Sequence, residues 1–281
     1  MIISIASGKG GTGKTTIAVN LALSLNQQIQ FLDCDVEEPN AHIFLKPKIE
    51  NSESVTIPIP QVDKSKCDFC GKCANVCAYN AIAVLKEEVL IFEHLCHGCG
   101  GCSFFCPKNA ITEIEREIGV IEYGSAGNIM FMQGRLNIGE AMPTPIIRKM
   151  KKKIKKSEEN LTIIDVPPGT SCPVIESVKG SDFCILVTEP TPFGLNDLVL
   201  AVEVLKKLKI PFGVVINRAD LGNDKTEEYC RQENIPILMK IPFKKELAMA
   251  YSKGEPMVRA FPEYREDFQN LFNTIRNGKF S

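Results

Sequence analysis

Ile2-Ile3-Ser4-Ile5-Ala6-Ser7-Gly8-Lys9-Gly10-Gly11-Thr12-Gly13-Lys14-Thr15-Thr16 reads as a short apolar strand, a glycine-rich turn and the start of a helix. From Gly8 to Thr15 the turn satisfies G-x-x-x-x-G-K-[ST], the P-loop pattern. Gly8, Gly10, Gly11 and Gly13 let backbone N–H groups curl around phosphate oxygens without Cβ clashes, and Thr12 and Thr16 complete the cradle. The helix that follows points its positive end at the same anion. Lys14 is placed to reach the β- and γ-phosphates, and the Thr15 hydroxyl to complete a magnesium shell. The strand before the loop, and an amphipathic helix after it with Ile17, Ala18, Leu21, Ala22 and Leu25 at helical spacing, set this match apart from an accidental one.

The other parts of a nucleotidase follow in order. Ile29, Phe31 and Leu32 lead to Asp33, Cys34 and Asp35, which puts two carboxylates at the end of a second strand, where a metal-bound water can be positioned. The bland alternative is that one of these acids caps the next turn. Leu161-Thr162-Ile163-Ile164-Asp165 is a further buried strand ending in an acid, followed by Val166-Pro167-Pro168-Gly169. Asp165 fits the Walker-B role of holding magnesium through water, and the Gly169 amide is placed to sense a γ-phosphate. Strands are expected around residues 2–6, 29–33, 161–165, 183–187, 211–216 and 237–241, with helical patterns between most of them. That alternation implies an α/β fold, a mainly parallel sheet with helices on both faces and nucleotide at its C-terminal edge.

Eight of the twelve cysteines interrupt this pattern in two copies of C-x2-C-x2-C-x3-C: Cys67, Cys70, Cys73, Cys77 and Cys96, Cys99, Cys102, Cys106. The second copy starts 29 residues after the first, and CAYNAI at Cys77 to Ile82 is echoed by CPKNAI at Cys106 to Ile111. This is the bacterial two-cluster ferredoxin run, in which the fourth cysteine ligates the other cluster. Cys67, Cys70, Cys73 and Cys106 are therefore expected to hold one [4Fe–4S] cluster, and Cys96, Cys99, Cys102 and Cys77 the second. Ala78 stands where the pattern asks for the proline supplied by Pro107, which loosens that turn and removes no ligand. Paired C-x2-C motifs also bind zinc, but with wider spacing between pairs. Pro58 and Pro60 make a stiff entry to this stretch, and the alternating Ile111 to Gly124 reads as a hairpin on the way out. The expected division is an ATPase domain from residues 1–57 and 117–281, with a small α+β ferredoxin-like domain inserted at 58–116.

A net charge of −1 over 281 residues argues against a global nucleic-acid or membrane field. The apolar runs are far shorter than the about 20 residues that span a bilayer, and Met1 passes directly into a core strand, so the expected compartment is a reducing cytoplasm. Arg148, Lys149, Lys151, Lys152, Lys153, Lys155 and Lys156 form a basic helical run whose first reading is a solvated face. His97, inside the second cysteine run, reads as an exposed loop residue, and Cys172 as a packed neighbour of the Asp165 loop.

GKGGTGKTT with its early Lys9, DCDVEEPN from Asp33 to Asn40, and DVPPGTSCP from Asp165 to Pro173 together resemble the deviant-Walker ATPases of the MinD, ParA and Mrp superfamily. The cysteine repeats resemble the subgroup carrying an inserted ferredoxin domain. The resemblance spans nearly the whole chain. It implies that Lys9 crosses a dimer interface to the partner's phosphates, that Asp35 orients the attacking water, and that Asn217, beside Arg218, contacts adenine. Ile241-Pro242-Phe243 and Gly254-Glu255-Pro256-Met257-Val258 are similar to the second adenine loop and final turn of that family. The implied cofactors are ATP, Mg2+ and two [4Fe–4S] clusters. The implied partners are a second copy or a similar ATPase, plus a redox or iron–sulfur protein. The function expected is an ATPase that couples nucleotide state to electron transfer through the clusters. The alternative is an iron–sulfur cluster carrier of Mrp type, which in those relatives uses a C-terminal C-x-x-C where this chain has Cys230 alone. A spatial organiser like MinD or ParA is the third reading, and the acidic, mixed stretch Phe261 to Phe280 does not resemble a membrane-targeting helix.

Overall fold

Strands made of uninterrupted apolar residues must be covered on both faces, and this chain supplies several of them. The computed structural model describes residues 1–155 and 160–278. In chain order its strands are β1 (Ile2–Ala6), β2 (Ile29–Asp33), β3 (Lys48–Val62), β4 (Ile82–Val84), β5 (Val89–Ile91), β6 (Ile111–Ala126), β7 (Ile129–Leu136), β8 (Leu161–Asp165), β9 (Phe183–Thr188), β10 (Phe212–Asn217) and β11 (Ile237–Ile241). All but β4 and β5 form one sheet in the order β11-β10-β9-β1-β8-β2-β7-β6-β3. The run from β11 to β7 is parallel, and β6 and β3 add antiparallel to its edge. The six strands expected from the sequence are all present, and β1, β2 and β8 are buried at every position.

Helix Lys14–Ser24 departs from the amphipathic pattern expected of it. Thr16 and Leu23 are its two positions that are not buried, because the helix lies between the sheet and the C-terminal helix Tyr264–Asn277. Phe268, Leu271, Phe272 and Ile275 of that outer helix join the same apolar cluster as Ile17, Leu21 and Ala22.

The stretch Ile111 to Gly124, read as a hairpin, is instead one continuous strand. Alternation alone does not locate a turn, and the turn lies further on, at Gly127 and Asn128 between β6 and β7. β6 pairs with β3 over nearly its whole length, from Lys48 opposite Ser125 to Val62 opposite Ile111. This ribbon leaves the main sheet and carries residues 63–110 at its tip. The expected boundaries at 57/58 and 116/117 fall inside this ladder, where Thr56 faces Glu117 and Pro58 faces Glu115. Pro58 and Pro60 are two residues apart, so both ring nitrogens fall on the same edge of β3. That strand has a neighbour on one edge only, the place where a sheet tolerates proline.

Candidate functional site

The P-loop places its glycines where side chains cannot go. Gly11 and Gly13 have φ of 80° and 98°, the left-handed region that favours glycine. Gly13 caps helix Lys14–Ser24, and a Cβ there would lie 2.6 Å from the Asn217 Nδ2. That Nδ2 donates to the Thr12 carbonyl at 2.8 Å, which ties the end of β10 to the loop. A cleft of about 450 Å³ opens over Gly10, Gly11, Gly13, Lys14, Thr15 and Thr16, with Asp35 and Pro168 on one side and Asn217, Arg218 and Pro242 on another. Gly8 lies beneath the loop against Asp197 rather than on the cleft, and a Cβ there would lie 2.2 Å from the Asp197 carbonyl oxygen.

The carboxylates divide their work. Asp33 is fully buried, and its oxygens accept from the backbone N–H of Asp35 (3.2 Å), Asn40 (3.0 Å) and Ala41 (3.0 Å), so this acid fastens the chain leaving β2. The capping alternative thus describes Asp33, and Asp35 lines the cleft. Burial pushes the Asp35 carboxyl up to about 6, with Lys14 pulling it down and Glu37 and Glu38 adding to the rise. Asp165 accepts from the Thr15 hydroxyl at 2.6 Å through Oδ2, while its Oδ1 is buried with no hydrogen-bond partner. Burial pushes this carboxyl up to about 7, against the opposing pull of Lys14 and Thr15. An unsatisfied buried carboxylate oxygen beside a P-loop hydroxyl is costly unless a cation or its water reaches it. The donor set therefore fits a hydrated magnesium with phosphates in the glycine cradle.

Two expected participants face elsewhere. The Gly169 N–H, at φ 99°, donates to the Ser7 carbonyl at 3.0 Å and is not directed into the cleft. Lys9 does not line the cleft; its Nζ lies 3.8 Å from Oε2 of Glu189, a nearly buried acid whose Oε1 takes a 2.7 Å hydrogen bond from Arg218. Glu189 had no motif to announce it. The far wall of the cleft is apolar, with Phe44, Leu247, Tyr251 and Met257, and the Phe44 and Tyr251 rings are 4.8 Å apart. The i, i+4 spacing of Leu247 and Tyr251 was the available signal.

At the tip of the ribbon the eight repeat cysteines gather around two openings. One is lined by Cys67, Cys70, Cys73 and Cys106, and the other by Cys77, Cys96, Cys99 and Cys102. The grouping is the crossed one expected from the spacing. The repeat extends to the backbone: Phe69 and Gly98, Gly71 and Gly100, and Asn80 and Asn109 form left-handed pairs, each 29 residues apart. The Cys77 and Cys106 sulfurs each accept an N–H, from Ala81 and Ala110, at 3.3 Å. The turn at Ala78 matches that at Pro107, with the Asn80 and Asn109 N–H groups bonded to the Cys77 and Cys106 carbonyls at 3.3 and 3.2 Å. The missing proline therefore leaves that turn intact. Among the described residues no three His, Cys, Asp or Glu side chains converge as a single-ion site requires. The thiols ring openings, with sulfur-directed N–H groups and glycines at tight turns, and so fit a body larger than one ion.

The same repeat places different chemistry beside the two openings. Asp68 and Lys108 form an ion pair of 3.6 Å at one, and their counterparts His97 and Tyr79 stack at 3.5 Å between ring centroids at the other. Cys34, Cys184 and Cys230 are buried, and Cys172, expected to be packed, is exposed because it opens the short helix Cys172–Val178. The basic run is not simply a solvated face. Lys149 and Lys153 contact Glu53, and Lys151 donates to backbone carbonyls; Lys156 lies outside the described residues.

Residues 3–257 match the model of the CobQ/CobB/MinD/ParA nucleotide binding domain. The chain is 31% identical over 280 residues to an uncharacterized protein of Methanocaldococcus jannaschii, covering 99% of this chain and 97% of that one. It is 26% identical over 308 residues to the iron-sulfur cluster carrier protein of Pyrococcus furiosus, covering 98% of this chain and 87% of the relative. Among solved structures it is similar to the septum site-determining protein MinD complexed with Mg-ADP from Pyrococcus horikoshii, with a TM-score of 0.58, 20% identity and coverage of 99% and 95%. That likeness shows the fold. No helix among the described residues is long and apolar enough to cross a membrane. With the P-loop, the β2 and β8 acids and a match over most of its length, the chain belongs to the CobQ/CobB/MinD/ParA nucleotide-binding family.

Proposed function

We propose that this chain is an ATPase that holds two [4Fe–4S] clusters and changes how they react according to the nucleotide in its cleft. The observation that carries this is the pairing of two four-cysteine openings with a P-loop cleft through one continuous sheet. Lys14 and the loop N–H groups hold the phosphates, Thr15 and Asp165 hold the magnesium, and Asp35 orients the attacking water. Lys9 leaves Glu189 to complete the site of a second subunit, either a copy of this chain or a similar ATPase. Asn217, Arg218 and Pro242 border the base. Residues 58–116 act as the inserted ferredoxin-like unit, and bound clusters supply one-electron chemistry. Anaerobic purification with iron analysis and EPR of the reduced protein, with and without Mg–ATP, tests this. Two clusters whose reduction depends on nucleotide are the expected result, and identical behaviour in the apo, ATP and ADP states would reject it.

A second reading has its own support. The Pyrococcus furiosus relative is named an iron-sulfur cluster carrier protein, and a chloroplastic relative from Arabidopsis thaliana, 24% identical, an Fe-S cluster assembly factor. These names favour delivery of a cluster over electron transfer. Against delivery stands the lone, buried Cys230 where a C-terminal cysteine pair is expected. Transfer of labelled iron to an apo-acceptor during ATP turnover selects this reading, and clusters retained through many turnovers select the first. Both readings place the chain in the cytoplasm.

A further inference from the structure

The basic helix Thr144–Lys152 and the loop that enters it touch three separate parts of the molecule at once. Its apolar side is fully buried: Ile146, Ile147 and Met150 are each 0% exposed. On that side Gly134 of β7 has no room for a side chain, because a Cβ would lie 2.5 Å from Val36 Cγ1, 2.7 Å from Ile146 Cγ2 and 2.7 Å from Met150 Sδ. Val36 follows Asp35, so the chain leaving β2 at the cleft and this helix close over the same spot of β7, in one apolar cluster. The Leu136 N–H also donates to the Val36 carbonyl at 2.8 Å.

At its C-terminal end the helix grips the segment that follows Asp165. Lys151 Nζ donates to the carbonyls of Glu176 (2.5 Å), Ser177 (2.9 Å) and Lys179 (2.5 Å), the end of helix Cys172–Val178, where carbonyls lack partners and favour a cation. Arg148 adds a contact of 3.3 Å to Glu176. At the N-terminal end, in the loop before the helix, Glu140 is nearly buried and forms a two-pronged pair with Arg116 of β6. The second guanidinium nitrogen of Arg116 also donates to the Glu93 carbonyl at 3.3 Å, and that carbonyl accepts the Cys96 N–H at 3.1 Å. Glu140 is therefore three hydrogen bonds away from the backbone of a cysteine in the second set. His94 Nδ1 lies 3.5 Å from the same carboxylate. The counterpart turn of the first set is built differently, since Asp63 is held within its own loop by Ser65 and Lys66.

We propose that residues 137–152 transmit the nucleotide state of the cleft to the second cysteine set, Cys77, Cys96, Cys99 and Cys102, through the Glu140–Arg116 pair, and leave the first set unmoved. This rests on the nucleotide-coupled function proposed above and adds a route and a direction to it. When the segments after Asp35 and Asp165 move, the helix follows both, through Val36 and through Lys151. A rigid helix of this length passes the shift to its entry loop, and the bidentate pair passes it to the turn before Cys96.

Hydrogen exchange on the anaerobically purified full chain, without nucleotide and with a non-hydrolysable Mg–ATP analogue, tests the route. The expected result is a change of at least about fivefold in exchange over residues 93–99 and none over 64–70, the low end of ordinary coupling between sites. Glu140→Gln and Lys151→Met break opposite ends of the route, and each is expected to abolish the change while analogue affinity and iron content stay at wild-type levels. Lys152→Ala, exposed on the same helix, should retain it. Redox-poised EPR, with signals assigned by Cys70→Ser and Cys99→Ser, should show the second cluster alone responding to nucleotide. Equal responses in the two halves, or a response that survives both route variants, overturns the route while the proposed function stands. No response anywhere in residues 63–110, with both potentials unchanged, removes the proposed function and the route with it.

Discussion

In the nucleotide cleft, Asp33 and Asp165 stand at the ends of strands buried along their whole length, and the groups around them belong to the main core. In residues 63–110, by contrast, helices Lys72–Val76 and Gly101–Phe104 bury no residue, and β4 and β5 are three residues each. The cleft is thus organised before any ligand arrives, because apolar burial elsewhere offsets the cost of holding like charges together. The cysteine unit has little core of its own, with Ala81, Ile82, Cys96 and Ala110 as its buried apolar residues. Two of its thiols also resist ionisation. Burial, with neighbouring cysteines adding to it and backbone N–H groups opposing it, raises Cys73 above the ordinary thiol range, and burial pushes Cys102 up to about 11. A unit of this kind is expected to gain stability from a bound metal, and metal binding by thiols releases their protons.

The largest effects should separate these two regions. Removing iron is expected to bring the amides of residues 64–109 to near-unfolded exchange, while β1 and β8 stay protected and ATP affinity changes little. Protection that survives iron removal would break the contrast. Lys14→Ala should lower ATP hydrolysis about 100-fold or more, as loss of one charge-stabilising group does, and leave iron content at wild-type levels. Reduced iron content in that variant would mean that the cluster sites need a competent cleft.

Asp165 gives a sharper, pH-dependent form of the same test. Its folded carboxyl lies at about 7, above the ordinary 3.8, so it favours the folded state when protonated. That stability is complete below the ordinary value and is lost as pH rises through about 7. The nucleotide-free chain should therefore weaken between about pH 4 and 7, by no more than about 1.4 kcal/mol per pH unit from this group. Asp165→Asn should flatten that slope and abolish Mg-dependent hydrolysis. An unchanged slope by urea denaturation would place the cost elsewhere.

Gly134→Val forces a branched side chain into contact with Val36, Ile146 and Met150 and should destabilise the chain by about 1–3 kcal/mol. The loss should appear as earlier thermal unfolding with cluster content intact at low temperature. Glu53→Gln should cost least, less than about 1 kcal/mol, because the group is largely exposed. Hydrogen bonds from Lys149, Lys153 and Tyr123 hold the Glu53 carboxyl down at about 2. Its contribution is present above the ordinary 4.5 and is lost as pH falls through about 2, so wild type and variant should converge in acid.

How much of this was legible in the chain depends on how far apart the partners lie. Gly8 to Thr15 and both cysteine runs are local patterns whose spacing encodes their geometry, and the left-handed Phe69, Gly71 and Asn80 recur at Gly98, Gly100 and Asn109 as the repeat demands. The long ribbon was less visible, since alternation in residues 111–124 fits one long strand as well as two short ones. Lys149, Lys151 and Lys153 looked like solvent-facing charge because Glu53 and the carbonyls of Glu176, Ser177 and Lys179 lie far off in sequence.

By itself the sequence determined the P-loop, the strand-end acids, the parallel α/β sheet and the presence of two equivalent cysteine runs, because each is written in residues within one turn or one repeat. Tertiary structure alone decided that Asp33 fastens the backbone while Asp35 faces the cleft, that Lys9 rests on Glu189, and that Glu140 meets Arg116 one hydrogen bond from Glu93. Those pairings depend on sheet order, which brings β6, β7 and the basic helix together across long stretches of chain. Side-chain electrostatics act only between groups that the packed core has already placed within a few ångströms.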